Sequence, residues 1–244
     1  MDWPVVEWPA TGPPKGRALL IHGLSSSKEG WWRVGPALAD MGYDVVAPDL
    51  RGHGSAPSDG GRSFDDYAAD LLALAPSWDL VLAHSLGGAT ALRALAVRPD
   101  WTRRLVLEDP ALVIPDPDEA KDVLMPDFDR PLTTEVQSEL NPTWSEEDCR
   151  VKAVALADSG PEAVIRTVDE NPGWNVVAEV TALAVPTLLV AADPANGPLV
   201  PPELGEPLAE MNDAITYTWI PNSSHSLHRD EFEAFLATVA DWLK

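Results

Sequence analysis

The sequence predicts an α/β protein built on a doubly wound, mostly parallel sheet. Over most of the 244 residues, short apolar runs rich in β-formers alternate with helical patterns. The runs are apolar at successive positions rather than every second one, as expected of strands covered by helices on both faces. The composition, 45% hydrophobic and 23% charged, is that of a globular chain and too apolar for disorder.

The elements follow in order. Arg17 to Ile21 (RALLI) reads as a strand ending at His22-Gly23, and Trp31 to Met41 as a helix closed by Gly42. Tyr43 to Ala47 (YDVVA) is the next strand. After a Gly-rich loop, Phe64 to Ala75 is a helix opened by Ser63, with Asp66 three residues on in a variant of the capping pattern. Leu80 to Ala83 is a buried strand, and a helix runs from Ser85 through Val97. Arg104–Leu107, Thr187–Ala191 and Ile215–Ile220 complete the strands. Glu231 to Leu243 is the last helix, with Phe232, Phe235, Leu236, Val239 and Trp242 near a 3.6 period. There is no internal repeat.

One region breaks the alternation. Between the RLVL and TLLVA strands the chain is Pro-rich and acidic from Pro110 to Pro131, then helical at Ser145–Ala157 and Pro161–Glu170. A segment of that length is too long for a bare loop. The expected organisation is a core of residues 1–110 and 184–244 with a helical cap, or lid, inserted over 111–183. Of the ten tryptophans, Trp144 and Trp174 fall in this insertion and Trp31 and Trp32 just after the first strand; they are read as core and lid packing or as walls of an apolar pocket.

Charge and composition exclude several classes. With 17 Lys plus Arg against 39 Asp plus Glu, the formal charge is −22, which repels phosphate backbones and anionic headgroups. Nucleic acid and membrane surfaces are therefore not expected partners. No cluster of Lys or Arg along the chain suggests a basic pocket, so the expected substrate is uncharged. A single cysteine, Cys149, rules out an intrachain disulfide framework and a thiolate metal cage, and reads as a buried small apolar residue. No apolar run reaches about 18 residues, and Met1-Asp2-Trp3-Pro4 lacks the basic start and apolar core of a leader; the expectation is a cytoplasmic protein. The acidic runs Asp116–Asp122 and Glu146–Asp148 read as solvated faces and helix starts. No metal-binding, P-loop or dinucleotide motif occurs, so no metal and no cofactor is expected.

Chemistry enters at Leu82-Ala83-His84-Ser85-Leu86-Gly87-Gly88, between a buried strand and a helix. This matches the nucleophile elbow, small-x-Ser-x-Gly, with Ala83 where Gly is commoner. The turn is tight, so residues two positions either side of the serine must be small. It lifts Ser85 clear of the sheet and aims the next backbone N–H at a developing oxyanion.

With His22-Gly23-Leu24, the run Pro48-Asp49-Leu50-Arg51-Gly52-His53-Gly54-Ser55 and Ser224-His225-Ser226, the chain resembles an α/β-hydrolase-fold enzyme over nearly its whole length. The resemblance implies oxyanion-hole donors at the Leu24 and Leu86 backbone N–H groups. It implies a catalytic base at His225, after the ITYTWI strand. His53 corresponds to a structural turn, His84 should point away from Ser85, and His228 is a second candidate base. The acid is left open. In most relatives it follows the TLLVA strand, but the corresponding position here is Gly197, and Asp193 lies early in that loop. A variant of the fold carries the acid at the end of the preceding strand, where Glu108 and Asp109 compete. Glu108 resembles the Glu of haloalkane dehalogenases and zearalenone lactonases, and Asp109-Pro110-Ala111 resembles a segment of pancreatic-type lipases. Glu108 is the first choice, with Asp109 and Asp193 as alternatives.

The implied function is a serine esterase or lactonase that cleaves a small-to-medium, largely apolar substrate through an acyl-enzyme. A C–C bond hydrolase or lyase of the same fold, or a ligand receptor without turnover, remains the alternative. The oligomeric state is not legible.

Overall fold

A computed structural model describes residues 3–114 and 116–244. Met1 and Asp2, on which the leader expectation partly rests, and Pro115 in the Pro-rich start of the insertion lie outside the described residues. In chain order the elements are β1 (Val5–Trp8), β2 (Gly16–Ile21), α1 (Val34–Asp40), β3 (Tyr43–Pro48), α2 (Phe64–Leu74), β4 (Leu80–His84), α3 (Leu86–Val97) and β5 (Leu105–Glu108). There follow α4 (Pro117–Leu124), α5 (Thr134–Leu140), α6 (Glu146–Asp169), α7 (Val177–Thr181), β6 (Thr187–Ala191), α8 (Pro202–Met211), β7 (Ile215–Trp219), α9 (Leu227–Asp230) and α10 (Phe232–Leu243).

Among the described residues, seven strands form one sheet in the order β1-β3-β2-β4-β5-β6-β7. All neighbours are parallel except β1, which pairs antiparallel with β3 at the edge. The β1 strand was not anticipated, because Pro4 and Pro9 bracket a run of only four residues. The alternation of side chains along each strand divides the core in two. Leu19, Ile21, Val81, Ala83, Leu105 and Leu107 face α2, α3 and α8. Ala18, Leu20, Leu80, Leu82 and Val106 face Trp31, α1 and α10. Every one of these strand residues is fully buried, which explains the runs without apolar–polar alternation.

Local signals in the sequence are realised. Ser63 caps α2: its Oγ accepts from the Asp66 N–H at 3.2 Å, and Asp66 Oδ2 accepts from the Ser63 N–H at 3.1 Å. The two helical patterns of the insertion are one run, α6, broken at Gly160, whose φ of 60° permits the turn into Pro161. The ends of the insertion pair with each other: Val113 and Asn175 form an antiparallel bridge, Ile114 N–H donates to Trp174 O at 3.0 Å, and Val176 N–H donates to Leu112 O at 2.9 Å. No helix of the described residues is long and apolar enough to cross a membrane.

This topology sets the position of the site. From β2 the chain steps to β3 on one side, then crosses back to β4 on the other. The C-terminal ends of β2 and β4 are therefore adjacent where the winding reverses, the place at which such sheets open a crevice.

Candidate active site

Ser85 joins β4 to α3 with φ 54° and ψ −118°, outside the regions favoured by an L-residue. Backbone bonds hold it there: Ser85 N–H donates to Glu108 O at 3.1 Å, and Ser85 O accepts from the Gly88 and Ala111 N–H groups at 2.9 and 3.1 Å. Space for the turn depends on small neighbours. A Cβ at Gly87 would sit 2.5 Å from Ile21 O and 2.7 Å from His22 O, so α3 abuts the end of β2 backbone to backbone. A Cβ at Gly23 would sit 2.9 Å from the Ser85 Cβ. The Leu24 and Leu86 amides thus flank the serine, and neither N–H donates to another group among the described residues. Their position suits a pair of donors for an oxyanion.

His225 follows β7. Pro221–Ser224 forms a turn with Asn222 at φ 64°, and His225 hangs from it. Asp193 secures this turn by accepting from the Asn222 N–H at 2.8 Å and the Ala195 N–H at 2.9 Å, and those bonds lower its pKa. His225 Nε2 accepts from Ser85 Oγ at 2.9 Å, and its Nδ1–H donates to Asp109 Oδ2 at 2.7 Å. Asp109 is fully buried at the end of β5 with φ 35° and accepts further bonds from the Leu199 and Val200 N–H groups at 3.1 and 3.3 Å.

The expectation that Glu108 is the acid beside His225 is therefore corrected to Asp109. Glu108 points to the other side of the sheet, where its Oε1 accepts from both the backbone N–H and the Nδ1–H of His228, at 2.9 and 2.7 Å. Strand register is the reason. Glu108 pairs with His84 across β4 and β5, so its side chain shares the face of His84 and not that of Ser85. Asp109 lies one residue on and takes the opposite side. His84 is read from the sequence as pointing away from the serine, but only the register of β5 against β4 puts Glu108 on that same side. Asp193, the other alternative, meets backbone amides and not the imidazole.

The remaining histidines support the loops. His84 Nε2–H donates to His225 O at 2.8 Å. His22 Nε2 accepts from the Leu50 N–H at 2.9 Å while its Nδ1–H donates to Gly23 O at 2.8 Å, tying the Leu24 loop to the end of β3. Burial lowers the pKa of His22, His84 and His228, and brings that of His53 to about 3, so all four are held neutral. Burial raises the Glu108 carboxyl. Cys149 is fully buried in α6, and the described residues hold no group of His, Cys, Asp and Glu arranged to bind a metal.

Around the serine, the insertion meets the core. Trp32 and Arg33 bind Asp148 of α6 at 2.9 and 2.8 Å. Trp174 is buried edge-on to Phe64 and donates to Ala111 O, while Trp144 donates to Asp230. Two clefts of about 280 and 360 Å3 lie elsewhere, one beside Phe64 and Trp174, the other beside Arg62 and Arg166; neither is lined by Ser85 or His225. The fold also joins what composition did not reveal: Lys152 from α6 and Arg229 from α9 bind Ser25 and Ser26, directly after Leu24.

The sheet and the elbow define a hydrolase of the α/β class, and the comparisons agree. Residues 18–238 match the alpha/beta hydrolase family, to which the chain belongs. It is similar to N-formylmaleamate deformylase of Pseudomonas putida, 28% identical over 243 residues that cover 94% of this chain and 89% of that one. Lipase LipV of Mycobacterium tuberculosis is 35% identical over 118 residues, 47% of this chain and 44% of that one. The crystal structure of the N-formylmaleamic acid deformylase from Pseudomonas putida superposes with a TM-score of 0.79 at 26% identity, covering 96% of this chain and 94% of that one. An esterase from Exiguobacterium antarcticum shares the fold, with a TM-score of 0.78 at 19% identity over 98% and 94% of the two chains. The protein is an enzyme of this family.

Proposed function

We propose that the protein is a serine hydrolase that opens a carboxylic ester or lactone through an acyl-enzyme. The observation that carries the reading is the chain Asp109–His225–Ser85, with contacts of 2.7 and 2.9 Å, ending on a serine raised by a strained elbow. Ser85 Oγ attacks the acyl carbon as His225 Nε2 takes its proton. Asp109 holds the imidazole with Nδ1 protonated and stabilises the imidazolium that forms. The Leu24 and Leu86 N–H groups receive the tetrahedral oxyanion, a role worth roughly 3–4 kcal/mol per donor in other acyl-transfer enzymes. The proton passes from His225 to the leaving oxygen. Water, deprotonated by the same imidazole, then attacks the acyl carbon and releases Ser85.

Residues 111–183 act as the cap of this site, with α6 spanning from Trp32 and Arg33 to the Leu24 loop. A second reading, cleavage of an amide-type acyl bond, is favoured by the near full-length similarity to a deformylase. The same residues serve it, with nitrogen as the leaving atom.

The test is turnover of a p-nitrophenyl ester series of increasing acyl length. Hydrolysis by the wild type that falls at least about 10³-fold in Ser85→Ala is the expected result. Equal hydrolysis by Ser85→Ala overturns the mechanism. No turnover of any ester together with Ser85-dependent release of formate or acetate from N-acyl substrates favours the second reading. Stoichiometric ligand binding without turnover of either class would make the protein a receptor.

A further inference from the structure

His225 stands half in the open. It lies between β7 and α9, outside any helix or strand, and 42% of its side chain is exposed. Packing alone does not pin a ring that far out of the core. Among the described residues it makes three hydrogen bonds. Two are at the imidazole, to Asp109 at 2.7 Å and Ser85 at 2.9 Å. The third is at its backbone, where the carbonyl accepts from His84 Nε2–H at 2.8 Å. Other groups tie the residues before it: Ser224 N–H donates to Asp230 at 2.8 Å, and Ser223 O accepts from the Asp193 N–H at 3.2 Å. Those bonds stop short of His225 itself. Its own peptide carbonyl is held by His84.

His84 is a rigid post for that carbonyl. It ends β4, pairs in register with Glu108 of β5, and is only 7% exposed. Its ring lies 4.6 Å from the ring of His225 and meets His228 edge-on at 5.4 Å. On the side of Gly23 there is no slack, since a Cβ there would come within 2.8 Å of His84 Nδ1. A carbonyl only accepts, so Nε2 carries the proton and the neutral ring leaves Nδ1 bare. Burial favours that neutral state and lowers the pKa of His84. Neutrality matters at this distance, because a cation beside His225 would oppose the imidazolium formed there when Ser85 gives up its proton. The place of His84 in the chain matters as much, because it immediately precedes Ser85. Consecutive residues thus grip one histidine at two ends, His84 at the carbonyl and Ser85 at Nε2. The two bonds close a ring through the backbone. The turn cannot carry the His225 backbone away from the elbow without breaking the bond to His84.

We propose that His84 is a positioning residue for the acyl transfer: by holding the His225 carbonyl, it sets the separation of His225 Nε2 from Ser85 Oγ. This rests on the proposed roles of Ser85 and His225. The pattern small-x-Ser-x-Gly leaves the residue before the serine unspecified, so the role is not written in the motif. It arises where the end of β4 meets the turn after β7. Proton transfer between the two side chains depends on placement, and about 1 Å of misplacement costs about 10²-fold in rate. The donor must also reach as far as an imidazole Nε2. Glutamine presents an amide N–H at nearly that reach, asparagine is one methylene shorter, and leucine fills the space with no donor.

The experiment compares the wild type with His84→Gln, His84→Asn and His84→Leu. It reads kcat and KM on the p-nitrophenyl ester that the wild type turns over best, and the rate at which a fluorophosphonate labels Ser85, all well below each melting temperature. His84→Leu and His84→Asn are expected to lose at least about tenfold in kcat and in labelling rate, with KM within about threefold. His84→Gln should stay within about threefold of the wild type. Rescue by glutamine and not by asparagine is the signature of a donor at a set reach, which a packing role would not produce. Wild-type kcat and labelling in His84→Leu overturn the proposal, as does equal loss in all three variants or a loss confined to KM or to melting temperature. Should His84→Leu fail to fold, the difference between glutamine and asparagine decides. Where the wild type is labelled but hydrolyses no ester, the labelling rates decide alone. A wild type neither labelled nor active removes the acyl-transfer reading, and this role with it; an active wild type with indifferent His84 variants removes the role alone.

Discussion

At the scale of single residues, the decisive pair is Glu108 and Asp109. They are adjacent, both fully buried, and both bonded to an imidazole at 2.7 Å, yet only one of those imidazoles reaches Ser85. Glu108 ends β5 on the face of His84, and Asp109, the next residue with φ 35°, turns its side chain to the other side. The consequence is a sharp difference in phenotype. Asp109→Asn removes the acceptor that fixes the His225 tautomer and is expected to lower kcat by about 10⁴-fold. Glu108→Gln leaves the Ser85–His225–Asp109 chain in place and is expected to keep kcat within about tenfold while lowering the melting temperature, because His228 loses a charged acceptor. Steady-state kinetics and thermal unfolding of the two variants check both halves. Comparable loss of kcat in both would sink the assignment.

At the scale of elements, the site depends on how closely α3 approaches β2. Gly87 is the contact: with a Cβ there, two backbone oxygens at 2.5 and 2.7 Å leave no flexible atom to move aside. Gly87→Ala is expected to cost roughly 1–3 kcal/mol as an overpacking change. The melting temperature should then fall by roughly 2–4 °C per kcal/mol in a chain of this size. Because the strain falls between the Leu24 loop and the elbow, kcat should drop as well, with KM less affected. A Gly87→Ala protein with unaltered melting temperature and kcat would mean that the two elements are not tightly packed there. The segment between β5 and β6 depends on similar local devices: Ser145 Oγ accepts from the Asp148 N–H at the start of α6, and Gly160 turns that helix so that its second half returns towards Arg62 and Phe64.

At the scale of the whole molecule, neutral buried histidines link stability to pH. His22, His53, His84 and His228 all have pKa values lowered by burial, whereas in the unfolded chain each titrates near 6.5. Below that value the unfolded state binds protons that the folded state refuses, so stability is fully present above about pH 6.5 and is lost as pH falls. Each histidine contributes up to about 1.4 kcal/mol per pH unit. Glu108 acts in the opposite sense, since its raised pKa lets the folded state hold a proton first. Urea unfolding at pH 7.5 and 5.5 is expected to differ by roughly 3–5 kcal/mol. Equal unfolding free energies at the two pH values would mean that these imidazoles are charged or exposed in the folded protein.

The sequence by itself determined the sheet, its six parallel strands and the elbow serine, and it pointed to the histidine that follows the last strand. Each is written locally, in apolar runs, in a Ser between small residues, or in a His after a strand and turn. Its resemblance to the family also implied Leu24 and Leu86 as the oxyanion donors. Three features were decided only by tertiary structure. The four-residue edge strand β1 exists because β3 offers it a partner. The choice of Asp109 over Glu108 required the register of β5 against β4. The meeting of Lys152 and Arg229 at Ser25 and Ser26 required α6 and α9, far apart in the chain, to pack against one loop. Local propensity and spacing act over a few residues, whereas side-chain direction at a strand end and the meeting of distant charges depend on packing between elements far apart in the chain.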